Sequence, residues 1–131
     1  VRAQFLTPTH LIAAMRRGDF YASSGVELSD VRFDSESGTL KIELPAKPNV
    51  TYTIEFVGTR KGYDRTSQPV VDKDGKPINA TRTYSADVGC VFAKSEGNSA
   101  SYTLKGDELY VRAVITSTAS SSAASTWCLI L

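Results

Sequence analysis

Apolar and polar residues alternate along most of this chain, and this period of two constrains the fold more than any other feature. Leu40, Ile42 and Leu44 fall on one face of an extended strand, while the residues between them are charged. The same alternation returns in residues 50–56 and 109–115. A strand with one apolar face must bury that face against a second layer. The pattern therefore predicts a mainly β protein, an antiparallel β-sandwich of about seven or eight strands with an immunoglobulin-like architecture.

The predicted strands are placed along the chain by the turn residues between them. The first three form a meander, and the segments on either side of residues 105–107 form a hairpin. A short hairpin also flanks the Asp-Gly turn inside residues 58–87, because a polar stretch of that length is too long for a plain loop. The seven main predicted strands are residues 26–33, with a bulge or bend at residues 29–30, and residues 39–44, 50–56, 88–93, 101–104, 108–116 and 126–131. The short hairpin adds residues 70–71 and 81–84.

Residues 8–17 break the alternation and are typical of one short N-terminal α-helix. Thr7 is a suitable N-cap, and Pro8 suits the first turn, where its missing N–H has no partner to lose. Gly18 follows as a residue that ends helices.

The predicted helix also carries an apolar stripe. Leu11, Ile12 and Met15 recur at helical spacing, and Leu6 is spaced to pack on Leu11 as a hydrophobic staple. An apolar patch that stays exposed near this helix would favour packing against another domain.

Length, charge and composition exclude several classes of protein. The 131 residues fit one domain covering 1–131. Fifteen Lys and Arg against 14 Asp and Glu leave a net charge of +1, so the chain is not a strongly basic nucleic-acid binder. With 41% hydrophobic and 22% charged residues, general disorder is excluded. No apolar run is long enough to span a bilayer, so we expect no membrane span.

No set of residues has the spacing of a catalytic or metal site. His10 is the only histidine, and Cys90 and Cys128 are the only cysteines, too scattered for the clustered ligands of a catalytic zinc. The Asp-Lys-Asp-Gly motif at residues 72–75 lacks the later ligands of a calcium loop and is typical of a solvated turn. We therefore expect no catalytic residue, no metal ligand and no cofactor in this chain. Whether the two cysteines form a disulfide stays open.

The connection between the predicted helix and the first strand has a different character. Residues 18–28 combine two aromatic rings, two small hydroxyls and a glycine. Serine hydroxyls bond turn backbone, and glycine permits a positive φ. Two interpretations stay open: a tight, well-satisfied corner, or a domain-interface or ligand-facing site. The candidate residues are Phe20, Tyr21, Ser23, Ser24, Gly25 and Glu27.

The same part of the chain resembles a known bacterial family. Residues 6–28, with the phrase GDFYASSGVEL at residues 18–28, resemble the region after the catalytic barrel in PHP-domain (polymerase and histidinol phosphatase) metal-dependent phosphoesterase-like proteins. Residues 54–58, 110–113 and 126–127 are similar to later strands of that family's C-terminal β-domain. Residues 61–100 match nothing in the family, and its metal-binding histidine motifs are absent from the sequence.

The resemblance implies that the chain is the C-terminal β-domain of a longer protein. Its partner would be the N-terminal catalytic barrel of the same polypeptide. The divalent metal and the hydrolase activity would belong to that missing barrel, and this chain would be a non-catalytic accessory domain. The candidate residues of the corner would lie at the interface between the two parts.

A stand-alone carbohydrate- or protein-binding β-sandwich module is the alternative function. Lys61, Tyr63, Arg65 and Tyr84 mix basic and aromatic side chains on the long polar stretch, which suits contact with a ligand or a neighbouring domain. Exposed aromatic residues that group together, with Tyr63, Tyr84 or Trp127 among them, would favour this alternative.

Overall fold

The computed structural model describes residues 1–118 and 124–127 and confirms a mainly β, sandwich-like fold with one short helix. Ten strands lie in the described residues, more than the seven or eight predicted, because both arms of the hairpin in the polar stretch form strands and a two-residue strand is also paired. All the strand pairs are antiparallel. The elements are α1 (Pro8–Arg16), β1 (Tyr21–Ala22), β2 (Asp30–Asp34), β3 (Thr39–Glu43), β4 (Tyr52–Arg60), β5 (Ser67–Val71), β6 (Pro77–Tyr84), β7 (Cys90–Glu96), β8 (Ser99–Thr103), β9 (Glu108–Ser117) and β10 (Ala124–Trp127).

Two sheets supply the buried core. One has the strand order β1-β10-β9-β4-β7, and the other has the order β2-β3-β8. In the larger sheet the long strands β4 and β9 lie side by side, with Ile54 opposite Ile115 and Phe56 opposite Ala113. The remaining strands, β5 and β6, form a separate two-stranded hairpin.

The core forms from the inward-facing residues of both sheets, as the alternation predicts. Phe56 of the larger sheet stacks on Tyr102 of the smaller one, with ring centroids 5.5 Å apart. Full burial stabilises a side chain of this kind by roughly 1.5–3 kcal/mol. The most deeply buried members are Leu40, Ile42, Ile54, Phe56, Val111, Ala113 and Ile115.

The predicted strand neighbours are wrong in two places. β3 and β4 are not part of one meander, since β3 pairs with β2 and β8 while β4 lies in the other sheet between β7 and β9. β8 and β9 are not a hairpin, since β8 pairs with β3 and β9 pairs with β4 and β10. The alternation records which face of a strand is apolar but not which strand lies beside it. Crossing to the opposite sheet lets consecutive strands share one core.

The predicted long strand over residues 26–33 is also wrong, because β2 begins only at Asp30. Val26 belongs to the core and is 4% exposed. Its carbonyl, however, accepts a hydrogen bond from the Ser23 hydroxyl, and Gly25 has φ +135°. A local turn at residues 23–26 and a bend at Ser29 therefore interrupt the expected long strand.

The polar stretch of residues 58–87 contains the predicted hairpin. β4 extends into this stretch as far as Arg60, because Val57 and Thr59 are buried. Farther along, β5 and β6 flank a turn in which the Asp72 carboxylate accepts the backbone N–H groups of residues 74 and 76 at 2.9 and 2.8 Å. The Asp-Gly turn is thus satisfied by its own residues.

The helix α1 begins as predicted and ends at Arg16, one residue early. Thr7 caps it by accepting the backbone N–H of His10, and Gly18 follows with φ +80°. No Cα of α1 lies within 8 Å of a Cα in any described strand. Among the described residues, no helix is long and apolar enough to cross a membrane.

The predicted final strand is only partly described. β10 is described as far as Trp127, and residues 128–131, including Cys128, lie outside the described residues. The prediction for them stays untested.

Candidate functional sites

The first candidate site is the apolar side of the N-terminal helix and the residues leading into it. Ile12 and Met15 are 53% and 50% exposed, and Leu6 is 92% exposed. The predicted staple between Leu6 and Leu11 is therefore not formed, and Ala14 is the buried residue of the helix. Phe5, also half exposed, packs edge-on against His10 with ring centroids 5.0 Å apart. We call Phe5, Leu6, Ile12 and Met15 the helix surface.

The corner between α1 and β2 is a well-satisfied turn. The Ser23 hydroxyl donates to the carbonyl of Val26 at 2.5 Å and accepts the N–H of Gly25 at 3.1 Å. Glu27 is exposed and forms a long ion pair with Lys47, at 3.8 Å. These contacts account for the serine, the glycine and the glutamate of the corner, so no ligand is needed to explain these residues.

A cavity of about 390 Å³ beside the corner is lined by only two of the candidate residues. Phe20 and Tyr21 line it together with Val1, Arg2, Asp19 and Val31, among others. Ser23, Ser24, Gly25 and Glu27 are not part of its lining. The N-terminal segment forms one wall, because the backbone N–H of Arg2 donates to the carbonyl of Asp19 and its guanidinium donates to that of Val31. The structure thus splits the predicted site in two.

A second candidate site lies where β4, β9 and the polar stretch meet. A shallow pocket of about 210 Å³ brings together Tyr63 and Tyr84, two of the aromatic residues of the sequence analysis. Trp127, the third, lies on β10, and its side chain is not described. The lining residues, which we call the tyrosine pocket, are Thr59, Tyr63, Arg65, Tyr84, Val88, Leu109 and Tyr110.

Sequence reasoning missed Leu109 and Tyr110 as pocket residues because of a bulge in β9. The alternation groups Leu109 with the inward-facing Val111, but Leu109 is 44% exposed. Tyr110 pairs with Thr59 and Glu108 pairs with Arg60, so Leu109 has no partner across the ladder. The side chain of an unpaired residue in a bulge points away from the face that the alternation predicts.

Hydrogen bonds hold the walls of the tyrosine pocket in place. The backbone N–H of Asp64 donates to the Asp87 carboxylate at 3.0 Å, and the Ser85 hydroxyl donates to the Asp64 carbonyl at 2.6 Å. The segment bearing Tyr63 and Arg65 is thereby tied to the segment that follows Tyr84. Bonds from Thr66 lower the pKa of Asp64, so this carboxyl is ionised at neutral pH.

The charge of the tyrosine pocket comes from Arg65 alone. Its guanidinium lies 5.7 Å from the ring centroid of Tyr63. Among the described residues, no carboxylate forms an ion pair with it, and no acidic residue lines the pocket. Lys61 does not take part, because its ammonium donates to the carbonyl of Gly106.

A buried carboxylate joins the two sheets close by. Glu108 of β9, with a side chain 3% exposed, accepts the Tyr102 hydroxyl at 2.6 Å and the backbone N–H groups of residues 105 and 106 at 3.0–3.1 Å. Arg60 lies 3.5 Å away, pairs with Asp107, and stacks on the Phe92 ring at 4.3 Å.

The pKa of Glu108 reflects this network. Burial alone would raise the pKa, but the bonds from Tyr102 and from the turn backbone outweigh burial and lower it to about 2. The carboxylate is enclosed by its own donors, so its role is structural.

The titratable and sulfur-bearing residues of the sequence analysis do not converge. The described residues contain no group of three or more His, Cys, Asp or Glu able to hold a metal ion. The ring of His10 bonds the Thr7 hydroxyl at 2.6 Å. Cys90 is a half-buried free thiol beside the Gly58 carbonyl, and its pairing with Cys128 stays untested.

Comparison with protein-family models, with characterised proteins and with solved structures finds no match to this chain. Its function therefore rests on its own residues and geometry.

Proposed function

We propose that this chain is a non-catalytic accessory β-domain of a PHP-type metal-dependent phosphoesterase, and that it packs through its N-terminal helix against the catalytic barrel. The helix surface is the observation that carries the proposal. The four side chains of the helix surface are half exposed or more, and no Cα of the helix lies within 8 Å of a Cα in any described strand. An apolar patch on one element is typical of a surface that another domain covers.

Energetic reasoning supports the same conclusion. A nine-residue helix is marginal in water by itself and gains most of its stability from packing. Burial of the exposed halves of Ile12 and Met15 would contribute about 1 kcal/mol each. Docking would thus cover the exposed side of the helix, which no described strand contacts.

The resemblance of residues 6–28 supports the identity of the partner. In the family those residues follow the catalytic barrel directly, and here the same residues carry the helix surface. The divalent metal and the phosphoester hydrolysis would then be functions of the barrel, with this chain supplying no ligand.

The test starts from the coding sequence upstream of residue 1. We expect it to encode a barrel with a His-x-His motif, and the full-length protein to hold metal and hydrolyse phosphoesters. Amide hydrogens of α1 should then exchange about tenfold more slowly in the full-length protein than in the 131-residue chain. An upstream sequence without such a barrel, or equal exchange in both proteins, contradicts the proposal.

Paired variants separate docking from general stability. Ile12→Ser with Met15→Ser should weaken docking by about 2 kcal/mol and restore fast exchange in α1 of the full-length protein. Val71→Ser is the matched control, because Val71 is equally exposed, at 51%, but lies on β5. An equal effect of both changes would refute a specific role of the helix surface.

A stand-alone binding module is the second candidate function. The tyrosine pocket supports it, because the exposed Tyr84 and the half-buried Tyr63 and Tyr110, from distant parts of the sequence, converge there. An upstream sequence that encodes only a start codon or a signal peptide would favour this candidate over the accessory domain.

A further inference from the structure

We propose that the tyrosine pocket binds a uronic-acid unit of an acidic polysaccharide, a six-membered sugar ring that carries a carboxylate. This inference rests on the binding-module proposal and is independent of docking by the helix surface.

The pocket presents an apolar platform of ring size. Tyr84 is 58% exposed, and Leu109 and Val88 lie beside it with more than a third of their surface in water. Aromatic rings readily bury exposed surface of this kind against a flat apolar partner. The volume of about 210 Å³ suits one sugar ring whose C–H face packs on the tyrosines, and the shallow form leaves both ends of the sugar chain free to continue.

The charge of the pocket selects an acidic sugar over a neutral one. The Arg65 guanidinium lies over the face of Tyr63 and forms no ion pair with a carboxylate among the described residues. An arginine fork matches a carboxylate with two parallel hydrogen bonds. No acidic residue lines the pocket itself, and the carboxylates of Asp64 and Asp87 in the loop walls accept hydrogen bonds from the loops themselves.

The hydroxyl groups of the pocket suit a polyol. Thr59 donates to the Tyr110 hydroxyl at 3.3 Å and in turn accepts the backbone N–H of Gly89 at 3.0 Å. The proton of the Tyr110 hydroxyl has no acceptor among the described residues, so it remains to donate to a sugar oxygen. The phenols of Tyr63 and Tyr84 add groups that both donate and accept.

The pocket needs little rearrangement to bind. The bonds from Asp64 and Ser85 fix the two loop walls, and Tyr110 projects from a strand in the centre of the large sheet. A preformed site loses less conformational entropy on binding than a loose one.

The experiment is an NMR titration of the 131-residue chain with the trisaccharides of galacturonic and glucuronic acid, and with maltotriose as the neutral match. We expect saturable shifts at residues 63–65, 84–89 and 109–110 with a Kd of about 0.1–1 mM for an acidic trisaccharide, weakened by salt. Maltotriose should bind about tenfold more weakly or not at all.

Variants assign the contacts. Tyr84→Ala and Arg65→Gln should each weaken binding about tenfold, whereas Tyr84→Phe, which keeps the ring, should bind nearly as well as the parent. Arg16→Gln, on the exposed end of α1, is the control for loss of a positive charge. Circular dichroism checks that each variant is folded.

Three results overturn the inference. Absence of saturable shifts with both acidic trisaccharides removes the uronic-acid site and leaves a binding module only for other carbohydrates or for proteins. Equal binding of maltotriose keeps a binding module but removes the role of Arg65. Tighter binding of benzoate than of either acidic trisaccharide assigns the pocket to aromatic carboxylates instead. None of these results affects the accessory-domain proposal, which depends on α1.

Discussion

The Glu108 carboxylate offers a direct test of how the two sheets are joined. Replacing it with glutamine keeps the shape of the side chain but removes the charge. The amide oxygen still accepts a hydrogen bond, while the amide NH₂ now meets the N–H donors of residues 105 and 106 that the carboxylate had accepted. Buried donors are left without acceptors, which is costly.

The magnitude follows from the pKa of Glu108. Its folded-state pKa of about 2 lies below the ordinary value of 4.5, and each unit of difference corresponds to about 1.4 kcal/mol. Ionised Glu108 therefore contributes about 3 kcal/mol of stability at neutral pH. We expect Glu108→Gln to lower the free energy of unfolding by about 2–3 kcal/mol at pH 7.

The pH dependence of this loss has a definite sign. The pKa is lower in the folded state, so between about pH 4.5 and pH 2 the unfolded chain binds more protons and folding weakens as pH falls. The contribution is complete above the unfolded pKa and vanishes as pH falls through the folded pKa. The difference between the parent and Glu108→Gln should therefore shrink towards zero near pH 2.

Urea unfolding from about pH 7 down to pH 2, followed by circular dichroism, measures this difference directly. Glu96→Gln, at an exposed position of β7, is the matched control and should behave like the parent throughout. A stability difference that stays the same at both ends of the pH range would refute the electrostatic reasoning and leave only a packing effect.

Three further changes probe the backbone. Gly58→Ala should cost several kcal/mol or prevent folding, because a Cβ there would lie 2.2 Å from the carbonyl oxygen of Tyr110; a thermal melting temperature within a few degrees of the parent would contradict this. Gly25→Val has open space around the new Cβ but a φ of +135°, so the expected loss is about 1–3 kcal/mol from strain alone, and unchanged urea unfolding would disprove the turn geometry. Thr7→Ala removes the N-cap of α1 and should cost about 1 kcal/mol, seen as faster amide exchange in the helix; unaltered exchange would mean that the cap is unnecessary.

Local sequence signals predicted the individual elements well. The Thr7-Pro8 start located α1, and the Asp-Gly turn located the hairpin of β5 and β6. Both signals depend on hydrogen bonds between residues a few positions apart, so they can be recognised from the sequence without the tertiary structure.

The candidate sites were less predictable, because they combine residues that are far apart in the sequence. Tyr63 and Tyr84 were visible as aromatic residues on a polar stretch, but Tyr110 joins them only through the pairing of β9 with β4. The exposure of Leu109 depends on a bulge that no local pattern signals. The ties of Glu108 to Arg60 and Tyr102 likewise bridge three strands.

The sequence by itself determined where most of the strands lie, which face of most strands is buried, and where the helix begins. It did so because side-chain alternation and capping are local properties of the chain. Only the tertiary structure decided that β3 and β4 lie in opposite sheets and that the tyrosine pocket exists. It also decided that no described strand covers the helix surface. Each of these features requires residues distant in sequence to come together. Many pairings of equally apolar strands bury a similar face, so the choice of strand neighbours depends on the packing of the whole core.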